Sequence, residues 1–408
     1  MIAKILLPVL AAIGSVSAQT KVTTCTVTTT TINSQADATA LSSCGAIKGS
    51  VVIGEGAGEN VDISGPSIIT GDLAVLENTV IKTLQSTSLT AVGGAFALDK
   101  LNVVTSITFP VLDSVKNISW TSVPNLGDMS IAVTKADYVV IADTFLATLA
   151  GINLASVKTL NINNNRRLIK FDTDLATLSD NFLVQANGGG QLTINLPKLI
   201  WIANMTIANV TSFLVPSLAT VNGSARFDSN YFSSFSAPNL TSTKAGDISF
   251  VGNAKLSNIT VPKLSAIAGG LLIANNTALE EIDFPKLATI GGAVKLRGNF
   301  TSVDFPALDD VKGAFDISST ADVSKSCDTF QKLAPSTQGG GGQIQGTYSC
   351  TSHNDQANSD TGSGTSSGGG SSGGGDSTGT KNNTANGLSF NAAILGLAVV
   401  GGFSQALW

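Results

Sequence analysis

Apolar and polar residues alternate in short bursts with a period of two, and each burst is broken by turn residues. Between Gly269 and Val311 the pattern runs through twice. Leu271 and Ile273 alternate, Asn276 follows, then Leu279 and Ile282, then Phe284-Pro285-Lys286-Leu287. After Ile290-Gly291-Gly292 it resumes with Val294 and Leu296, Asn299, Val303 and Phe305-Pro306-Ala307-Leu308. A period of two predicts strands rather than helices, two or three short ones per unit. Pro-x-Leu also stands at Pro110, Pro124, Pro197, Pro216, Pro238 and Pro262, and the copies from Pro197 to Pro306 are 19 to 24 residues apart. Leu154-Ala155-Ser156-Val157 and Leu175-Ala176-Thr177-Leu178 fall where two further copies belong, without the proline. The repeat is therefore continuous from about residue 70 to about 320, and a fixed period of this size predicts a solenoid.

Leu160, Ile162, Asn165, Leu168 and Phe171 match the unit, as do Ile248, Phe250, Asn253, Leu256 and Ile259. Around Asn230 and Asn299 the spacing slips by one or two residues. The recurring Asn suits a turn whose side-chain amide bonds the backbone of the neighbouring coil, a use that leucine-rich repeats make of Asn. Proline fits the start of a strand, where no ladder N–H is needed. One coil cannot bury its own apolar face, but stacked coils bury a continuous column. An ordinary β-sandwich is the competing architecture; it gives no reason for Pro-x-Leu to recur in register.

The ends of the chain change the picture. Met1 to Ala18 carries Lys4, an apolar run from Ile5 to Ile13, and Val16-Ser17-Ala18 before Gln19; this is the pattern of a secretory signal, and the run is too short for a membrane anchor. A Thr-rich stretch opens the mature chain. Cys25 and Cys44 precede the repeats, and Cys327 and Cys350 follow them. In an oxidising compartment this placement predicts the bonds Cys25–Cys44 and Cys327–Cys350, each sealing one open end of residues 19–350. A metal site is the alternative, but there is no Cys-x-x-Cys, and His353, the only histidine, falls in the tail. Residues 351–387 lose the pattern, and Ser366 to Gly375 is nearly all Ser and Gly, the composition of a flexible linker. Residues 388–408 contain no charge. With Asn383 as attachment residue, followed by Thr384 and Ala385 and a spacer before the apolar run, they read as a glycosylphosphatidylinositol (GPI) signal that is cut away; Asn382 and Asn386 are alternative attachment residues. No Lys or Arg follows the run to stop a retained span.

Charged residues make up only 12% of the 408-residue chain and the net charge is −5, which argues against a nucleic-acid partner. Gly, Ser, Thr and Asn are abundant and aromatics scarce, as in extracellular β proteins. Sequons begin at Asn117, Asn204, Asn209, Asn222, Asn239, Asn258, Asn275 and Asn299 in the repeats, and at Asn382 in the tail. A heavily N-glycosylated surface is expected. Alternation points Asn239 and Asn258 outward, beside inward Leu240 and Ile259, whereas Asn299 also falls in the inward turn slot.

Signal peptide, repeated Pro-x-Leu units, flanking cysteine pairs, Ser/Gly linker and GPI tail together resemble the fungal GPI-anchored cell-wall organisation glycoproteins, the extracellular-mutant and sporulation-specific family. The resemblance covers essentially the whole chain. It implies an all-β ectodomain similar to the receptor L domain, a leucine-rich-repeat-like right-handed parallel β-helix. It also implies a role in wall integrity and morphogenesis at the plasma membrane or wall. No catalytic residue and no cofactor follows from it.

Two rival functions remain. A β-helix enzyme acting on glycosides needs two carboxylates facing each other across the scissile bond. Glu280-Glu281 and Asp309-Asp310 are adjacent pairs that point to opposite faces of a strand. Asp172 and Asp174 share a face, but Arg166, Arg167 and Lys170 nearby suggest an ion-pair patch. A Ser/His/Asp triad lacks an ordered histidine, and Gly188–Gly190 and Gly339–Gly342 are plain glycine turns. A binding module for wall polysaccharide or wall proteins would need an exposed face. Trp120, Trp201, Tyr231, Phe232 and Phe235 are its conspicuous aromatics, and core filling is the competing fate for most of them. The expectation is a non-enzymatic surface glycoprotein that meets the membrane through its lipid.

Overall fold

The computed structural model describes residues 23–359. The signal segment 1–18, the Ser/Gly stretch and the attachment residues Asn382, Asn383 and Asn386 lie outside the described residues. The chain winds into a parallel β-solenoid of about 13 turns. One face is a parallel sheet of 21 strand segments. The opposite side is built from separate sheets of four, three, two and two short strands. Register carries like residues onto like: Leu271 pairs with Val294 and then Phe315, and Ile273 with Leu296 and then Ile317. These inward positions form one apolar column from Ile32 to Tyr348. Phe227 stacks on Phe250 with ring centroids 4.6 Å apart, and Phe284 on Phe305 at 5.3 Å. Each coil thus buries what its neighbours bury, which is how a unit too small to hold a core alone becomes stable.

Three corners turn the chain. The first uses one left-handed residue in successive coils: Glu77, Lys100, Ser122, Asp143, Asn164, Ala186, Asn209, Ser229, Gly252 and Asn275, with φ between 52° and 68°. Asn, Asp and Gly tolerate this region better than other residues. The next residue points inward, and it is there that the repeat places Asn.

The second corner is Pro-x-Leu. Leu218 N–H donates to Val215 O at 3.1 Å, Leu264 to Val261 at 3.0 Å, and Leu308 to Phe305 at 3.0 Å. Each phrase is a β-turn with proline at its second position, where a fixed φ near −65° is already correct. Proline therefore follows a strand instead of starting one, contrary to the sequence expectation. Leu154 and Leu175 are buried, and the backbone links Ala176 to Ala155 and Ile200 to Ala176. The proline-free copies thus hold the expected register. Pro124-Asn125-Leu126 does not. Its turn, Leu126 N–H to Val123 O at 3.0 Å, closes the other corner, where Leu168 bonds Asn165 and Leu256 bonds Asn253.

The third corner bends the main sheet between its strand segments. Successive coils approach so closely there that a Cβ on Gly246 would sit 2.4 Å from Gly223, one on Gly269 2.7 Å from Gly246, and one on Gly292 2.8 Å from Gly269. Only a residue without a side chain fits this column.

Both ends are closed. The helix Gln35–Leu41 lies over the first coil, with Ser34 Oγ accepting from Asp37 N–H at 3.1 Å and Ala38 buried. Cys25 and Cys44 are disulfide-bonded beside it. The helix Ser324–Gln331 covers the last coils; Phe330 packs 4.6 Å from Phe315, and Cys327 in the helix is bonded to Cys350 in the strand Tyr348–Thr351. Both pairings are the expected ones. The cap helices were not legible, because seven or eight residues give too few turns for a helical period. Packing also runs past Cys350. Ala357 is fully buried, Asn354 donates to Ser318 Oγ at 2.8 Å, and Asn358 to Asn299 Oδ1 at 2.6 Å.

Gly292→Ala should lower the unfolding free energy by about 1–3 kcal/mol through overpacking. Gly127→Ala, whose Cβ would meet nothing closer than 3.7 Å, should change it little; chemical denaturation of the two variants checks this. Burial, aided by the Asp328 charge, pushes the Tyr348 hydroxyl up to about 12. Its neutral form, which donates to Cys327 O at 2.8 Å, is thus favoured in the folded state. The corresponding stability is complete below the ordinary tyrosine range near 10 and is lost as pH rises toward about 12. Alkaline titration at the tyrosinate band should show one late-ionising group that is absent in Tyr348→Phe.

Candidate functional site

The most ordered polar feature is internal. Asn165, Asn187, Asn230, Asn253 and Asn276 are all buried at the inward slot after the left-handed corner. The Asn253 amide donates to Phe227 O on the coil before it at 2.9 Å, and its Oδ1 accepts the Asn230 backbone N–H at 2.8 Å. Asn276 repeats this on Phe250 and Asn253, and Asn187 on Ile162 and Asn165. Thr144 and Val210 occupy the same slot, and their backbone N–H groups donate to Asn165 Oδ1 and Asn230 Oδ1. The ladder satisfies corner N–H and C=O groups that no strand reaches. Asn230 sits in register despite the slipped spacing around it. Asn299 does not: Phe300 fills the buried position, and the half-exposed Asn299 accepts from Thr320 Oγ1 at 2.7 Å.

The enzymatic candidates are placed as follows. Asp172 pairs with Lys170 at 2.9 Å and Asp174 with Lys198 at 2.9 Å, so both belong to an exposed ion-pair patch. Arg167 lies 4.5 Å above the exposed Phe145 ring. His353 is not in a patternless tail; its backbone N–H donates to Ala321 O at 3.2 Å. Hydrogen bonds from Ser324 hold the neighbouring Asp322 carboxyl below the usual range, with a smaller contribution from the His353 charge. Among the described residues no hydrogen bond joins the His353 imidazole to a serine hydroxyl. No group of three or more His, Cys, Asp or Glu gathers as a metal site among them. A void of about 10 Å³ between Met205, Phe227, Phe250 and Leu264 is wholly apolar, a packing gap in the core.

Of the five conspicuous aromatics, Trp120, Phe232 and Phe235 are core. Trp201 is half-exposed and Tyr231 exposed, but they occupy different faces and make no row. Tyr138 and Phe145, which the alternation did not single out, are also exposed. Among the sequons, Asn204, Asn222 and Asn258 are exposed, while Asn117, Asn209, Asn239, Asn275 and Asn299 are half-buried. Asn239 donates to Pro216 O at 2.9 Å and accepts from Lys263 Nζ at 2.7 Å.

Rungs of ions join residues about one coil apart: Lys100–Glu77, Lys135–Asp113 and Lys158–Asp137 flank the main sheet, and Lys82–Glu59 opens the four-stranded sheet on the other side. At the middle of the sheet Asp228 faces outward between Ala208 and Val251, and burial holds its carboxyl above the usual range against the pull of Arg226.

These features define a disulfide-capped parallel β-solenoid that presents long, rigid outer faces. The model of the Ecm33 family, described as a GPI-anchored cell wall organization protein, matches residues 1–42. The chain is 39% identical over 324 residues to protein ecm33 of Aspergillus fumigatus, covering 79% of each chain. It is 32% identical over 353 residues to the cell surface GPI-anchored protein ECM33 of Candida albicans, covering 85% of this chain and 83% of the relative. It is 31% identical over 228 residues to sporulation-specific protein 22 of Saccharomyces cerevisiae, covering 55% of this chain and 49% of the relative. No solved structure matches at a significant level. The chain belongs to the fungal Ecm33 family of cell-wall-related surface proteins.

Asn253→Ala strands the Asn230 N–H and the Phe227 carbonyl together, and should cost about 2–6 kcal/mol of stability at about 1–3 kcal/mol per buried group. Exposed Lys255→Ala should stay within about 0.5 kcal/mol of the unsubstituted chain. Equilibrium denaturation of both variants reads the difference.

Proposed function

We propose that this chain is a GPI-anchored surface glycoprotein that supports fungal wall organisation by presenting a rigid scaffold, without catalysing a reaction. The carrying observation is its identity to Ecm33 proteins over most of its length. The chain's own features agree. A signal segment precedes the solenoid and a cleavable GPI signal follows it. Residues 366–375 are nearly all Ser and Gly, the composition of a linker between an ectodomain and an anchor. N-glycans at Asn204, Asn222 and Asn258 would project freely into solvent. The carboxylates nearest to an enzymatic arrangement, Asp172 and Asp174, are each neutralised by a lysine, unlike a facing acid and base.

Phosphatidylinositol-specific phospholipase C should release the chain from protoplast membranes, and truncation before residue 381 should send it directly to the medium. Retention on the membrane after both treatments would contradict the lipid anchor. Hydrolysis of a wall polysaccharide by the purified chain, abolished by a carboxylate substitution, would overturn the scaffold reading.

A further inference from the structure

The main sheet's outward residues fall into columns set by the strand register. One runs Ala95, Asn117, Tyr138, Thr159, Asn181, Asn204. The next runs Ala97, Ser119, Val140, Asn161, Leu183, Thr206. The third runs Asp99, Thr121, Ala142, Asn163, Gln185. Asp99 is the one ionisable carboxylate in these columns, and Thr121 Oγ1 donates to it at 2.6 Å. The same columns become charged on the following coils, with Arg226 and Asp228, and later Lys295 and Asp316. Along the side, the Lys158–Asp137 pair at 3.0 Å marks the border. An area rich in amides and hydroxyls, with Asp99 as its one internal charge and exposed Asp180 at its border accepting from Thr159 Oγ1 at 2.9 Å, therefore spans six coils, roughly 24 Å at about 4.8 Å per strand.

Several of its amides are unspent. Asn181 and Gln185 take no side-chain hydrogen bond among the described residues. Asn163 donates to Asn161 Oδ1 at 2.8 Å, which leaves the Asn161 amino group and the Asn163 carbonyl facing outward. Each primary amide offers donors and an acceptor together, the pairing that a polyhydroxylated chain needs. Exposed Tyr138, on the strand Tyr138–Thr144 and in the first column, adds an amphipathic ring to the same face.

We propose that this face is a docking surface for a neutral polysaccharide chain. The inference rests on the surface-glycoprotein reading only for the place where the two would meet. Charge decides the class of occupant. A polyanion would require a cationic track, whereas a neutral polyol satisfies amides and hydroxyls without burying an unpaired charge. The sequon Asn204 stands at the end of the first column and Asn117 second from its start, so glycans there would border or cover part of the face, and their trimming enters the test.

The experiment is co-sedimentation of the full mature chain, with N-glycans intact and trimmed, with insoluble β-glucan and with chitin; polygalacturonate is the charged control. The expected result is retention of the trimmed chain on at least one neutral polymer and none on polygalacturonate. The double variant Asn181→Ala/Gln185→Ala should weaken the apparent Kd about tenfold, by removing two amide contacts. Lys286→Ala/Asp304→Ala on another face should leave it unchanged. Matching melting curves establish that the variants fold, and Thr206→Arg, which blocks the face by bulk, provides a second readout. Failure to bind either neutral polymer, equal binding to polygalacturonate, or binding that none of the face variants weakens would overturn the proposal. Phospholipase release of the same variants from cells reports separately on the anchored-glycoprotein reading.

Discussion

Everything in this fold depends on the parallel hydrogen-bond ladder between coils. A single coil of about two dozen residues exposes its apolar side chains and half of its backbone groups. Stacking satisfies both at once, because the N–H and C=O groups of one coil point along the axis to the next. The ladder also requires that each coil repeat the path of the last to within a fraction of an ångström. Length variation must therefore be absorbed at the corners, where glycines, left-handed residues and prolines stand.

The buried asparagines show what the ladder alone cannot do. At the left-handed corner the chain leaves strand geometry, and its backbone groups would be unpaired in an apolar interior. Asn165, Asn187, Asn230, Asn253 and Asn276 supply the missing donor and acceptor from the neighbouring coil. Where the slot holds Val210, the following Asn230 still caps its N–H. The glycine column solves the complementary problem, excess contact, at the bend in the main sheet. A solenoid also has two open edges, which invite pairing with other chains. Here each is covered by a short helix tied down through a disulfide pair, so the array ends in closed surfaces.

The same regularity shapes the exterior. Register that aligns the core also aligns outward residues into columns, so local changes in composition become faces of definite chemistry. Between Ala95 and Thr206 the main face is amide-rich and carries only Asp99 as a charge in its columns; beyond it the columns carry Arg226, Asp228, Lys295 and Asp316. The main face of this chain is thus divided into zones of distinct chemistry.

The periodicity by itself pointed to the solenoid and the inward Asn, and the placement of the four cysteines around the repeats to their pairing, since apolar alternation and chain order survive without coordinates; the coils before residue 70 and after residue 320 lack the phrase and appear only in the structure. Leu154 and Leu175 held the repeat even without proline, because burial of the leucine is the constraint and proline only presets the turn. Other features needed the tertiary structure. Pro124-Asn125-Leu126 carries the phrase but lies at the opposite corner, since two different β-turns favour the same residues. Asn299 yields the inward slot to Phe300, a shift by one residue that reverses which side chain is buried. Trp120, Phe232 and Phe235 belong to the core because column neighbours enclose them, and His353 is held because residues beyond Cys350 pack back on the last coils. The amide-rich face is legible only after register is known, because its residues are about twenty positions apart in sequence and adjacent only across the ladder.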